Sequence, residues 1–137
     1  MGVDKIGGGL ARGLPGATTK AAGDAAEDRA LAHLQQQGLR LVERNYRLAG
    51  GPHRPGAEVD LILRAPDGTL VFVEVRARAA GRHGGAAASI GTGKQRRIVR
   101  AAQHYLLRLA VVPPCRFDVV AIDGDALQWL PGAFDAA

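Results

Sequence analysis

Hydrophobic and polar positions alternate most regularly in "GAEVDLILRAPDGTLVFVEVRAR", residues 56–78. Two runs with a period of two flank a proline-aspartate-glycine turn, which predicts a hairpin with strands at roughly 57–64 and 69–78. Upstream the period changes. In "DAAEDRALAHLQQQG" Ala30, Leu31 and Leu34 recur at helical spacing and Gly38 closes the run, predicting a helix over about 24–37. "LRLVERNYRL" then reads as a first strand and "GGPHRPG" as a loop. Downstream, "KQRRIVRAAQHYLLRLA" predicts a second helix, with Ile98, Ala101, Ala102, Tyr105 and Leu109 as its apolar stripe and Arg97, Arg100, His104 and Arg108 largely off it. "CRFDVVAI", an Asp123-Gly124 turn and "ALQWL" predict a closing hairpin. The order αβββαββ predicts an α/β fold, a central mixed β-sheet flanked by α-helices. That domain is expected over 23–134. Residues 1–22, rich in Gly, Ala and Thr, read as a disordered N-terminal tail, 79–93 as a mobile glycine-rich loop and 135–137 as the C-terminal end.

Each strand of the first hairpin carries a carboxylate, Asp60 in one and Glu74 in the other. Side chains alternate across a strand, so Val59, Leu61 and Leu63 are expected on one face with Val71, Val73 and Val75. A three-residue loop at Pro66–Gly68 sets Leu61 against Val73 and Leu63 against Val71. The same register sets Asp60 against Glu74 and Glu58 against Arg76. Like charges directly opposed in a sheet repel. A hard divalent cation would relieve this, since Mg²⁺ is commonly held by one or two carboxylates and water. A solvated cross-strand charge ladder is the other interpretation the residues leave open. Glu27 falls with Ala30, Leu31 and Leu34 on the inward side of the first helix, where a charge needs a partner. Asp24 and Glu27 also have capping-box spacing, which would explain the acid without a site.

Composition sharpens the functional classes. The 137 residues, 47% of them apolar, suffice for one core. Eighteen Lys and Arg against 13 Asp and Glu give a formal charge of +5, which favours a polyanionic partner. Cys115 is the only cysteine, so an internal disulfide and a cysteine-rich zinc site are excluded, and a cytoplasmic setting fits. His33, His53, His83 and His104 are not paired at metal-ligand spacing. Neither a signal-type apolar run at the start nor a membrane-length apolar segment is present. Lys94, Arg96 and Arg97 open the second helix, an end where the macrodipole disfavours cations unless an anion docks there; a solvated basic face is the alternative. Asp118 in "RFDVV" is expected to serve the fold by pairing with a basic residue of the neighbouring helix. Tyr46, Phe117 and Trp129 are expected to pack rather than to stack on bases.

Taken together, Glu27 in a first helix, Asp60 in "EVDLI", "VFVEVRAR", "KQRRI" and "RFDVV" resemble the YraN family of bacterial proteins, assigned to the restriction-endonuclease-like superfamily. The likeness runs from about Gly23 to Phe134. It implies a restriction-endonuclease-like core and a nuclease-type site with Mg²⁺ or Mn²⁺. Glu27 matches the helix acid, Asp60 the strand acid, and Glu74 the acid of the acid-x-Lys motif, these three being the implied metal ligands. Arg76 stands where the family usually has lysine; it can stabilise phosphate charge but cannot act as a general base, because guanidinium stays protonated. The implied function is hydrolysis of phosphodiester bonds in nucleic acid, DNA before RNA, with Lys94, Arg97 and Arg100 on the backbone and a homodimer where both strands are cut. The alternatives are a non-catalytic nucleic-acid-binding or scaffold protein with the same fold, and a protein-binding module.

Overall fold

The protein is described by a computed structural model covering residues 15–78 and 90–136. In chain order the elements are α1 (Pro15–Gln36), β1 (Arg40–Leu48), β2 (Ala57–Arg64), β3 (Leu70–Arg78), α2 (Thr92–Leu106), β4 (Cys115–Asp123) and β5 (Ala126–Phe134). The strands form one five-stranded sheet in sequential order. Every neighbouring pair is antiparallel except β3 and β4, which run parallel with α2 in the connection between them. This is an α/β fold with a mixed sheet between two helices, compatible with a restriction-endonuclease-like core.

The first hairpin closes as its turn residues require. Gly68 takes a φ of 94°, its N–H donates to the Ala65 carbonyl at 2.9 Å, and the Ala65 N–H donates to the Thr69 carbonyl at 2.8 Å. Asp67 adds a side-chain acceptor for the Thr69 N–H at 2.9 Å. The turn fixes the register that parity predicts, Leu61 opposite Val73 and Leu63 opposite Val71.

Each face of the sheet buries one helix. Ala26, Ala30 and Leu34 of α1 pack on Leu61, Leu63, Val71, Val73 and Val120. Ile98, Ala101, Ala102 and Tyr105 of α2, four of the five expected stripe residues, pack on Ile62, Leu70 and Phe72, and Leu109 lies partly buried against the same cluster. Phe72 is fully buried, stacked on Phe117 at 5.6 Å and met edge-on by Tyr105 at 6.2 Å. Truncating such a ring to alanine costs about 3–5 kcal/mol.

Several expectations are corrected. Helix α1 begins at Pro15 rather than near residue 24, so 15–22, expected as tail, is helical. Proline is preset for a first helical position, and the alanines that follow are strong helix formers. Asp24 and Glu27 therefore lie inside the helix, and a capping box does not account for them. Residues 1–14, and the loop expected at 79–93 apart from 90–93, lie outside the described residues. Val59 does not share a face with Leu61 and Leu63; it packs with Ala57 and Ile62 on the α2 side. The cause lies across the ladder. Between the pairs Arg44↔Leu61 and Tyr46↔Val59 sits Asn45 with a φ of 55°, a left-handed residue that breaks the alternation of both strands. Asp118 pairs with no helix residue: Arg116 of its own strand holds it at 2.8 and 3.0 Å, with the Trp129 indole N–H and the Gly132 N–H each at 2.9 Å.

Candidate active site

The ladder between β2 and β3 stops at Leu61↔Val73. Beyond it, β2 stays with β1 as far as Ala57↔Leu48, and β3 stays with β4 as far as Arg78↔Asp123. The sheet forks there, and Asp60 lies in the fork. Its Oδ2 accepts the Val75 N–H at 2.8 Å, a donor that continued pairing would have turned toward β2. Asp60 and Glu74 are thus neighbours across the fork rather than a ladder pair. The ladder likewise does not set Glu58 against Arg76, and Glu58 meets Arg47 of β1 at 3.1 Å. With Glu58 elsewhere and Glu74 only 5% exposed, a solvated charge ladder does not describe these residues.

Glu27, Asp60, Glu74 and Arg76 line one cleft of about 390 Å³ together with Gly23 and Ala26 of α1. Burial, reinforced by the neighbouring Glu74 charge, pushes the Asp60 carboxyl up to about 7. Burial also raises Glu74, against the opposing pull of Lys94 and Arg76. The two carboxyl groups stand close enough for each to bear on the protonation of the other. Glu27 is raised by burial and by Asp60, and Arg44 of β1 offsets this with an Nε contact at 3.3 Å. Arg44 also reaches Asp28 at 2.8 Å. With its NH₂ turned toward them, the Asn45 amide donates to Glu27 Oε1 at 3.3 Å and to Glu58 Oε2 at 3.1 Å. Three acids therefore stand around one cleft, each oriented by a neighbour on another strand or helix.

The donor chemistry of Asp60 and Glu74 suits a hard cation. Both ligand groups are carboxylates whose ionised forms repel each other across a partly buried gap, and a divalent ion would offset that charge. Among the described residues no three His, Cys, Asp or Glu side chains converge as a ready-made cage. The pair is thus a two-carboxylate platform, a number that Mg²⁺ tolerates by keeping several waters. Glu27 lines the same cleft and is tied to Arg44.

The basic residues divide by position. Lys94 Nζ lies 3.7 Å from Glu74 Oε2, and Arg76 Nη1 lies 4.0 Å from the same oxygen. Lys94 and Arg97 also line a second cleft of about 630 Å³ with Arg47 and the loop after β1. That loop closes tightly: a Cβ at Gly50 would come within 2.7 Å of the Gly56 nitrogen. Arg96, Arg97 and Arg100 line a third cleft beside Arg54. Arg100 is committed in part to the fold, since its guanidinium donates to the Pro55 carbonyl. The first turn of α2 holds no acidic residue, and its N-cap, Gly91, makes no side-chain capping bond.

Sequence patterns did not point to Arg44 and Asn45 as the partners of Glu27, nor to Lys94 as a partner of Glu74. For Asn45 a signal existed, an asparagine inside a run otherwise suited to a strand. For the other two, nothing in local spacing reports a contact between separate elements.

Residues 26–122 match the family model of the uncharacterised protein family UPF0102. A UPF0102 protein of Methylibium petroleiphilum is 67% identical over 120 residues, covering 88% of this chain and 98% of that relative. One from Acidovorax sp. strain JS42 is 69% identical over 123 residues, covering 90% and 91% respectively. One from Cupriavidus taiwanensis is 64% identical over 117 residues, covering 85% of each. With the family model spanning most of the chain and relatives this similar along nearly their whole length, the chain belongs to the uncharacterised protein family UPF0102, the YraN family.

Proposed function

We propose that the protein is a metal-dependent phosphodiesterase acting on nucleic acid, DNA in the first instance, with Mg²⁺ or Mn²⁺ held by Asp60 and Glu74. The observation that carries this is the paired carboxylates in the fork of the sheet, repelling each other with cations at one edge. When bound, the ion supplies Lewis-acid charge to the scissile phosphate and to the attacking water. Asp60 and Glu74 orient that charge, and Glu27 orients water around it. Arg76 holds negative charge developing on the phosphoryl oxygens. In the net reaction the water oxygen ends on phosphorus, one ester P–O bond breaks, and the water proton ends on the departing oxygen.

Arg97 and Arg100 would receive the flanking backbone, so the grip is electrostatic and carries no base sequence of its own. Two copies would serve a duplex cut in both strands. The lone Cys115 fits a reducing cytoplasm. A second function, nucleic-acid binding without turnover, is favoured by Arg76, whose guanidinium cannot accept a proton.

The test is incubation of the purified chain with single-stranded, duplex and branched DNA and with RNA, in Mg²⁺, Mn²⁺ and chelator. Cleavage that needs the metal is expected. Binding that weakens steeply with salt, without cleavage of any substrate, would establish the second function instead. Neither binding nor cleavage would leave a protein-binding module.

A further inference from the structure

We infer that Lys94, from the first turn of α2, supplies the ammonium that the β3 motif lacks, contacting the attacking water and the scissile phosphate beside Glu74. This rests on the phosphodiesterase function proposed above and assigns Lys94 to the chemistry rather than to the backbone grip.

The geometry carries it. Lys94 Nζ and Arg76 Nη1 converge on one oxygen, Glu74 Oε2, at 3.7 and 4.0 Å from two different elements. Two cations on one carboxylate oxygen concentrate positive charge beside Glu74, where an incoming anion would meet it. The two are not chemically equivalent. An ammonium is a compact charge with three donors that can be re-aimed, whereas a guanidinium offers a planar fork. Glu74 is buried at 5% side-chain exposure and Lys94 stands at 36%, so the ammonium keeps exposed surface while touching the buried carboxylate. Lys94 also borders the basic cleft with Arg97, and its contact with Glu74 is the link between that cleft and the acidic one.

The cost of this placement points the same way. A cation in the first turn opposes the helix dipole, and here no acid of that turn and no side-chain cap offsets it. Glu74 offsets it in part. A bound phosphate, attracted both by Lys94 and by the free N–H groups of the turn, would complete the balance.

The test compares the full-length wild type, Lys94→Ala, and Lys94→Ala combined with Arg76→Lys. Each is assayed on labelled single-stranded, duplex and four-way-junction DNA in Mn²⁺, with DNA affinity measured separately by anisotropy in chelator. Lys94→Ala is expected to lower kcat by about a hundredfold or more, as loss of a charge-stabilising donor does. DNA affinity should change by no more than about threefold, the scale of one phosphate contact. Restoring a lysine at position 76 should recover at least about tenfold of the lost rate. Unchanged cleavage by Lys94→Ala, or parallel loss of binding and cleavage, would overturn the inference and leave the phosphodiesterase function standing. So would a rate loss that Arg76→Lys does not reduce, which would make Lys94 a prop for Glu74. Absence of cleavage by the wild type on every substrate would overturn both.

Discussion

Asp60 accepts the backbone N–H of Val75 at 2.8 Å, so a side chain of β2 occupies the place where the β2–β3 ladder would have continued. The bond fixes the carboxylate against β3 and brings it beside Glu74. Asp60→Asn keeps an oxygen for that N–H but removes the charge. The variant should fold normally, melt at or above the wild-type temperature without metal, and bind Mn²⁺ more than about a hundredfold more weakly by calorimetry, a loss beyond that of outer-sphere partners. Unchanged affinity would mean that the metal site lies elsewhere.

The same pair makes stability depend on pH. Burial and Glu74 hold the Asp60 carboxyl up to about 7, so the folded chain keeps a proton there that the unfolded chain has already released. A raised carboxyl contributes stability that is fully present below the ordinary carboxylate range and lost as pH rises through about 7. Without divalent ions, the wild type should therefore lose melting temperature relative to Asp60→Asn between roughly pH 4 and pH 7. Added Mn²⁺ should raise the melting temperature more at pH 8 than at pH 5, because the ion competes with the proton for the pair.

Asp118 is as buried an acid as the fold contains among its described residues, with no exposed surface, and four donor contacts satisfy it. Asp118→Ala leaves Arg116, the Trp129 indole and the Gly132 N–H without their acceptor. Urea unfolding should show a loss of about 3–5 kcal/mol, the scale for breaking a buried pair from one side. Any of that variant that folds should bind Mn²⁺ with wild-type affinity. A selective loss of metal binding would place Asp118 in the site.

The predicted helices and strands were legible because periods of two and of 3.6 record which side chains are buried, and Gly68 and the odd loop fixed the register next to the turn. Asp60 and Glu74 were legible as neighbours, although as a directly opposed ladder pair that the fork does not form. What period cannot record is where a ladder ends. Asn45 in the left-handed region and the fork beyond Leu61 send Val59 to the other face and Glu58 to Arg47, against simple parity. The Lys94 contact was hidden because it joins side chains of two separate elements, α2 and β3, which no local spacing records. Helix α1 was drawn too short because residues 20–25 are exposed, and helical spacing of apolar residues was the guide.

The basic residues should separate in a salt titration. Arg97 lines both basic clefts, so Arg97→Ala should weaken DNA binding evenly across sequences and reduce the salt slope by about one. Arg100 is bonded to the Pro55 carbonyl, so Arg100→Ala should in addition speed amide exchange in the loop at 50–56. Equal loop exchange in both variants would remove that structural role from Arg100.

The central claim is that Asp60 and Glu74 hold a catalytic divalent ion at the fork of the sheet. Anomalous diffraction from crystals soaked in Mn²⁺ tests it most directly. A single strong peak within coordination distance of both carboxylates, about 2.0–2.3 Å from oxygen, is the predicted result. A site without such a peak at saturating Mn²⁺, or a peak bound to other residues, would contradict it.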